Sequence, residues 1–553
     1  MKRNFAHFLY CTIHTLCLLT VSFHLLAETS LEPDSPLTLA SSNTVLPVIP
    51  LPSLNQPLSA QLQVTVKHIK LTGNQVFSDD ELKPVIAPYE GRQISNDDLQ
   101  ALRRELTLYY VNQGYINSGA SLPDQAFQNG ELEVLITEGR LAEIQIIGNK
   151  RLRTPYLKQR LALQANEPLN VHQLQTRIQL LHQDPLIDHI SAQLAPGSQR
   201  GQSLLRVNVK ESRPYQFGVS MNNWRSPSVG ELHSEIWGAH SNLLGYGDAI
   251  DLQYTTTKGY DGISLNYSLP MNHRDTRLQV SYSRSESKVV EKPFDVINII
   301  GETESYGVRL SHPLLHDLNE QWIGSMEIER RHSENFLSGG AMEMENGIST
   351  VAALRLGQEW VKHRQNQVLA INATLNLGLD AFNATINEPV EPSDGSSIAD
   401  GKFISWLGQF QWLQRFASHQ TQLLFRSHLQ LSNSRLLSME KFSLGGANSV
   451  RGYRENLLIR DQGLFSSIEM RLTIPKSQGK WQVASFYDIG WGANVDGPSD
   501  AKTLSSLGAG LRWDPNRHWH TQLYWGHALN SVDLGLDNTL QEDGFHLSVD
   551  YRY

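Results

Sequence analysis

The chain has 553 residues and a formal net charge of −9, with 19% charged and 40% hydrophobic residues. This length accommodates several domains, and mild acidity without a basic patch excludes a nucleic-acid partner. Both cysteines, Cys11 and Cys17, lie in the first 27 residues, so the remainder contains neither a disulfide framework nor a thiolate metal site. The remainder also lacks an apolar stretch of transmembrane-helix length, which leaves a β-barrel as its way to span a membrane.

The first 63 residues predict a targeting segment followed by a linker. Lys2 and Arg3 precede an apolar run at 8–26, which is the layout of a secretory signal peptide over residues 1–27. A membrane anchor is disfavoured, because two histidines interrupt the run and no second apolar segment follows. Residues 28–63 contain six prolines among serine, threonine and leucine, and this composition predicts an extended linker without a core.

Residues 64–139 have the pattern of a compact α+β domain with the element order βααββ. Two capping motifs open its helices, and an apolar stripe runs along the second helix. The predicted elements are a strand at 64–71, a turn at Gly73, helices opened by Ser78 and by Ser95, and strands at 116–122 and 132–137.

Residues 140–213 repeat this pattern. The stretch Ile144–Asn149 matches Ile69–Asn74, so the repeat spacing between the two glycines is 148 − 73 = 75 residues. Thr154 is predicted to cap the first helix of the repeat, with Pro155 at the first helical position. A second helix at 171–182 and strands at 187–194 and 204–209 complete the predicted unit.

From residue 214 to 553 the pattern is all-β, and sixteen antiparallel strands can be counted. An even number is typical of bacterial outer-membrane barrels, as is the alternation of short turns with long loops. The predicted fold is therefore a sixteen-stranded transmembrane barrel preceded by two small α+β domains. The predicted strands are 215–224, 231–244, 249–257, 262–271, 277–289, 303–315, 321–334, 350–361, 367–379, 403–415, 421–431, 463–474, 481–493, 504–513, 518–529 and 544–553.

The long connection between the eleventh and twelfth strands, residues 432–462, is called loop 6 below. It contains the run Val450-Arg451-Gly452-Tyr453 shortly after a pair of glycines. Glycines allow the sharp turns that would present a single cation, Arg451, to a specific partner. Taken alone, a glycine-rich loop with one arginine is usually an ordinary solvated loop, and only the surrounding chain favours a specific contact.

A candidate partner for Arg451 lies in the thirteenth strand. Because side chains alternate along a strand, Phe486, Asp488 and Gly490 share one face, and the apolar residues between them suit lipid on the other. A lone carboxylate beside a glycine leaves room for a guanidinium to bind it in the two-pronged way that arginine favours. Asp488 is therefore the predicted partner.

The tandem βααββ units resemble POTRA domains, the periplasmic modules of outer-membrane transporters. In the first unit, Leu122-Pro123-Asp124-Gln125 is similar to the signature of the POTRA domain found in two-partner secretion transporters. Gly114-Tyr115 and Glu138-Gly139-Arg140 strengthen the likeness. The resemblance implies that Leu122, Pro123 and Gln125 take part in client recognition.

The pattern as a whole resembles the TpsB class of two-partner secretion transporters, which secrete haemolysins, filamentous adhesins and contact-dependent toxins. In that class the loop folds into the lumen and its arginine pairs with the strand aspartate. The resemblance thus implies a latch between the two motifs. Its implied members are Val450, Arg451, Gly452, Tyr453, Phe486, Asp488 and Gly490.

The resemblance also implies partners. POTRA domains would capture a large unfolded exoprotein with an N-terminal secretion domain, and the barrel would conduct it outward without ATP or another cofactor. Outer-membrane lipid surrounds such barrels, and the barrel-assembly machinery recognises an aromatic C-terminus, here Tyr551 and Tyr553. Two alternatives stay open: an assembly insertase of the same superfamily, and a plug within residues 28–63. Catalysis is not expected, because hydrolase motifs are absent.

Overall fold

The computed structural model describes residues 63–123, 130–162, 167–337, 340–341, 347–387, 398–416, 420–474, 479–495, 501–530, 532 and 539–553. The predicted signal peptide, the linker or plug up to residue 62, and Gln125 lie outside these residues. The chain divides into two compact units between Ser212 and Arg213. Within the described part, every helix is too short or too polar to cross a membrane.

Residues 63–212 contain two successive α+β units of similar topology. The first has strands β1 (Val64–Val66), β2 (His68–Thr72), β3 (Arg92–Ile94), β4 (Gly119–Ser121) and β5 (Glu131–Thr137), with helices α1 (Asp79–Ile86) and α2 (Asn96–Asn112). The second has β6 (Arg140–Ile147), α3 (Thr154–Leu161), α4 (Val171–His182), β7 (Ile187–Pro196) and β8 (Gln202–Glu211). The sheets run β2-β5-β4 and β6-β8-β7, with a parallel pair followed by an antiparallel pair in each.

Each unit is built on an apolar core, as the sequence periodicity predicts. In the first, the stripe of α2 contributes Leu102, Leu106 and Tyr110, which are fully buried against alternate residues of β5. Both predicted caps are present, and each is a capping box, because Ser78 and Ser95 exchange hydrogen bonds with the third residue of their helices. Local sequence signals therefore account for the helices of this unit.

Three predictions for this region are wrong in detail. The strand at 64–71 is two strands, because the chain bends at Lys67 and β1 pairs with β3 while β2 pairs with β5. The strand at 116–122 shortens to β4, since Ser118 N bonds to Tyr115 O in a turn. Thr154 begins α3 instead of capping it; the cap is Arg153 without a side-chain bond, and the Thr154 hydroxyl accepts a bond from Asn149.

The repeated glycine-asparagine pair forms the same turn in both α+β units. Gly73 and Gly148 have φ of +86° and +90°, and a Cβ at either would lie 2.3 or 2.4 Å from a carbonyl oxygen of the neighbouring strand. The next residue in each, Asn74 or Asn149, donates to a backbone carbonyl three residues on, at 3.0 and 2.8 Å. Only glycine satisfies both the positive φ and the close approach.

The two α+β units are joined by backbone hydrogen bonds. Val171 N donates to Gly114 O at 2.9 Å, and Leu169 N donates to Gly139 O at 2.7 Å. A Cβ on Gly114, whose φ is +93°, would lie 2.5 Å from the ring of His172. Gly114 and Gly139 of the POTRA-like signature therefore belong to the joint between the units.

The second compact unit is a closed antiparallel barrel of sixteen strands in chain order, with its first strand paired to its last. A two-residue strand, β16 (Gly340–Ala341), pairs antiparallel with the end of the seventh strand. The barrel strands are β9 (Tyr215–Asn222), β10 (His233–Ser241), β11 (Ala249–Thr257), β12 (Tyr260–Pro270), β13 (Arg277–Lys288), β14 (Ile299–His316), β15 (Glu320–Leu337), β17 (Ile348–Arg364), β18 (Gln367–Gly378), β19 (Ile404–Arg415), β20 (Thr421–Ser432), β23 (Gln462–Ile474), β24 (Lys480–Ala493), β25 (Lys502–Asn516), β26 (Trp519–Ala528) and β27 (Phe545–Arg552).

The predicted strand count and faces are confirmed. Each of the sixteen predicted strands overlaps an observed one, although the second is shorter because Asn242, at φ +73°, ends it. In β24, Phe486 and Asp488 are buried, whereas Tyr487 and Ile489 are 42% and 37% exposed on the outer face. Alternation therefore separates a polar lumen from an apolar outer surface, as a barrel in lipid requires.

Candidate functional site: the lumen contact of loop 6

Loop 6 folds into the barrel. It contains a short 3-10 turn, Ser438–Glu440, and a hairpin of β21 (Phe442–Leu444) and β22 (Leu458–Arg460). Leu444 and Val450 are fully buried, packed with β23 Phe465. The alternative of an ordinary solvated loop is therefore wrong.

The structure brings Arg451 and Asp488 together. Arg451 is 3% exposed and donates to both carboxylate oxygens, from Nε to Oδ2 at 2.8 Å and from Nη2 to Oδ1 at 2.9 Å. Its backbone N–H also donates to Oδ2 at 3.1 Å. This two-pronged geometry is the strongest form of an arginine–carboxylate contact.

A second carboxylate, Glu469 in β23, completes the ion cluster. Arg451 Nη1 donates to Glu469 Oε2 at 2.5 Å. Glu469 Oε1 also accepts from Arg471 Nε at 2.6 Å and from the Tyr524 hydroxyl at 2.8 Å. Sequence reasoning missed Glu469. The alternation of β23 places it on the lumen face, but only the register, in which Ser467 opposes Asp488, brings it beside the arginine.

Aromatic rings flank the guanidinium. Arg451 Cζ lies 3.5 Å from the ring centroid of Phe486 and 4.9 Å from that of Tyr524. Both distances are within the range of cation–π attraction. Phe486 of the predicted motif therefore contacts the cation itself, and Tyr524 adds a contact that the sequence did not indicate.

Glycines allow the loop backbone to approach the wall. Gly452 has φ of +89°, and a Cβ there would lie 2.8 Å from the carbonyl oxygen of Gly526 in β26. Gly452 N donates to His546 Nε2 at 3.1 Å. A Cβ on Gly490 would lie 2.8 Å from Val450 Cγ2. The two motif glycines thus make room for contact between loop and strand.

The residues after Gly452 extend the attachment. The Tyr453 hydroxyl lies 3.0 Å from Ser505 O and 2.9 Å from Asn530 O. Arg454 donates from Nη2 to both oxygens of Glu291, at 2.9 and 2.8 Å, and from Nη1 to Glu542 at 3.1 Å. Sequence reasoning did not single out Arg454, whose partners lie in two other loops.

The remaining predicted site residues lie elsewhere. Leu122 is partly buried against the core of the first α+β unit, and Pro123 is exposed. Tyr553 stacks on Phe217 of β9 with ring centroids 4.9 Å apart, and Tyr551 lies 5.0 Å from Trp519. The C-terminal tyrosines are therefore close to the seam where the barrel closes. In the part of the chain that the structure describes, no cluster of His, Asp and Glu is arranged to hold a metal ion.

Comparison with known proteins matches two parts of the chain to described families. Residues 201–513 match the family described as haemolysin secretion/activation protein ShlB/FhaC/HecB, and residues 64–139 match the ShlB-type POTRA domain. The chain is 23% identical over 467 residues to the outer membrane transporter CdiB of Dickeya dadantii strain 3937, covering 81% of this chain and 79% of that protein. It is 25% identical over 420 residues to the hemolysin transporter protein ShlB of Serratia marcescens, covering 74% and 72%.

A solved structure shows the same fold. CdiB from Escherichia coli aligns with a TM-score of 0.67 and 21% sequence identity, over 92% of this chain and 93% of that one. The likeness extends across both compact units.

Proposed function

The chain belongs to the haemolysin secretion/activation protein family, and from that premise we propose that it captures an unfolded exoprotein in the periplasm and exports it through the barrel. It is an outer-membrane transporter of the two-partner secretion class, with its POTRA region in the periplasm. The observation that carries the proposal is the family match over residues 201–513, which includes loop 6 and most of the barrel. An assembly insertase is not favoured, because the matched family is one of secretion proteins.

Capture is assigned to residues 64–139 and 140–213 as two POTRA domains. Within the described residues, β7 pairs only with β8 and β4 pairs only with β5. A free strand edge can accept an extended client segment through main-chain hydrogen bonds. Leu122 and Pro123 follow β4 directly in the chain, which supports a role for them in contacting a client strand added beside it. Gln125 is assigned the same role from the sequence signature alone.

Export then requires that loop 6 changes its position. We assign the Arg451–Asp488 contact the role of a latch that holds the loop in the lumen before a client enters. Folding of the client at the cell surface supplies the driving force, since the sequence contains no nucleotide-binding loop. Residues 1–27 act as the signal peptide and 28–63 as a linker or plug, lipid surrounds the barrel, and Tyr551 and Tyr553 address it to the assembly machinery.

Depletion of the protein in its source bacterium tests this function. The expected result is the loss of one large exoprotein from the culture medium, while other outer-membrane barrels stay at their normal levels. Depletion of many barrels would identify an insertase instead, and an unchanged set of secreted proteins would exclude export. The missing exoprotein, identified by mass spectrometry, then serves as the client in the assays below.

A further inference from the structure

Loop 6 carries a second buried ionic contact, eleven residues before Arg451 in the sequence (451 − 440 = 11). The side chain of Glu440, in the turn Ser438–Glu440, is 4% exposed. Arg355 donates to both of its oxygens, from Nη2 to Oε1 at 2.8 Å and from Nη1 to Oε2 at 3.0 Å. Arg331 Nη1 adds a third bond to Oε1 at 3.3 Å. Glu440 is therefore held in the same two-pronged way as Asp488, with the charges exchanged.

The barrel wall holds the two arginines in place without the loop. Glu329 of β15 accepts from Arg331 Nε at 2.8 Å and from Arg355 Nε at 2.7 Å. Arg355 also donates to Asn376 Oδ1 of β18 at 2.8 Å. Within this hydrogen-bonded cluster, the two arginines and Glu329 carry a net charge of one positive unit. Glu440 supplies the charge that balances it, and it is the member of this cluster that comes from loop 6.

Apolar packing accompanies the ionic contact. Leu436, Leu437 and Met439 of loop 6 pack with Val351 and Ala353 of β17 and with Phe403. The first part of loop 6 is therefore docked on the wall by apolar burial as well as by charge. This combination distinguishes a docking site from a stray surface ion pair, which contributes little.

The two attachment sites lie on different arcs of the barrel. The Arg451 site uses β23 and β24, whereas the Glu440 site uses β15 and β17, and β18, β19 and β20 stand between them in the ring. Loop 6 provides the cation at one site and the anion at the other. Movement of the loop out of the lumen must separate both.

We propose that Glu440 is a positioning residue for export, which fastens the first part of loop 6 to β15 and β17 independently of the Arg451 site. The inference rests on the proposed function, because a fastened loop matters only if the lumen conducts. Release of either site alone then shifts the loop toward positions that open the lumen, and full displacement requires release of both.

Single-channel recording provides the test, with the purified full-length protein in planar lipid bilayers and potassium chloride as the probe. Glu440→Gln keeps the size of the side chain but removes the charge that balances the two arginines. We expect this variant to spend roughly tenfold more time in open states, because weakened charge-assisted bonds shift a two-state equilibrium toward the released form. Glu302→Gln, which makes the same change in an exposed ion pair with Arg284, should behave like the parent.

A double variant separates tethering from charge imbalance. Glu440→Gln with Arg331→Gln restores the charge balance of the cluster, with Arg355 facing Glu329. It does not restore the bond to the loop, and it also removes the bond from Arg331 Nη1 to Met439 O of the loop. If Glu440 acts by holding the loop, the double variant stays as open as the single one. It also supplies the test if the single variant does not give a folded barrel, which heat-modifiable gel migration reports.

The outcomes are distinguishable. A parent protein that does not conduct would contradict the proposed function. A conducting parent with an unchanged Glu440→Gln variant would overturn the inference alone, and so would a double variant that returns to parental behaviour, since that result assigns Glu440 a purely structural role.

Discussion

The α+β region and loop 6 are held in place by different interactions. The first α+β unit has an apolar core in which Leu102, Leu106 and Tyr110 are fully buried. Loop 6 combines apolar packing with buried ion pairs, in which Arg451 is bound to Asp488 and Glu469. The core of a folded unit is lost only when that unit unfolds, whereas an ion pair beside a polar lumen can be exchanged for water when the loop moves. The element that must stay folded and the element that must move are thus stabilised differently.

Arg451→Ala should give the largest effect. Removing one member of a fully buried ion pair costs about 3–5 kcal/mol, and less where water reaches the site. We expect loop 6 to become accessible to protease and export to fall to a small fraction, while the barrel still folds, because strand pairing is untouched. Arg284→Ala, which removes a cation that is 51% exposed, is the matched control. Equal protease protection of loop 6 in the parent and in Arg451→Ala would contradict the claim that buried ion pairs hold loop 6 in the lumen.

Leu106→Ala tests whether apolar burial stabilises the first α+β unit. Truncating a fully buried leucine costs about 2–5 kcal/mol, and Leu106 is fully buried in α2. The variant should lose its helical circular dichroism at a lower urea concentration than the full-length parent in detergent, with loop 6 protection unchanged. Leu108→Ala, on the same helix but 39% exposed, is expected to match the parent. A loss of loop 6 protection in Leu106→Ala would show that the two regions do not separate as described.

A smaller effect is expected from Glu211, an ionic contact inside the α+β region. Burial would raise the pKa of Glu211, but backbone N–H bonds from Leu152, Lys150 and Arg151 outweigh it and lower the pKa. A lowered folded-state pKa stabilises the fold above the unfolded value of about 4.3, and this contribution is lost as pH falls further through the folded value.

Glu211→Gln should therefore cost on the order of 1 kcal/mol at pH 7, through weaker hydrogen bonds, and should lose less stability than the parent on acidification. Urea unfolding followed by helical signal between pH 7 and pH 3 measures both. The exposed Glu143→Gln is the control. Parallel pH profiles for the parent and Glu211→Gln would exclude the ionic contribution.

What the sequence predicts depends on the distance over which its signals act. The predictions that rest on local patterns are confirmed: the helix caps, the alternation along the strands and the facing of Asp488 into the lumen. The bend at Lys67 was missed, because the pairing of distant strands decides it. The cap at Arg153 was missed, because the Thr154 hydroxyl bonds to Asn149 and Thr154 itself begins the helix. Local patterns do not predict contacts that depend on how distant strands align. An example is the contact of Glu440 with Arg355, 85 residues away.

The same reason explains why Glu469 was missed while Asp488 was not. Asp488 stands beside a glycine in a recognisable spacing, whereas Glu469 lies among alternating lumen residues of β23 and is distinguished only by the register that sets it opposite Phe486. The register of neighbouring strands depends on the whole barrel. The sequence therefore indicated one partner of Arg451, and the structure adds the second.

The most direct test of the latch is a double-mutant cycle in which export of the identified exoprotein is measured per folded barrel for the parent, Arg451→Ala, Asp488→Ala and both together. Two residues that serve one contact give non-additive effects. We predict that Arg451→Ala and the double variant are equally defective, with Asp488→Ala milder because Glu469 still binds the arginine. Defects that multiply in the double variant would contradict the account, since Arg451 and Asp488 would then act separately.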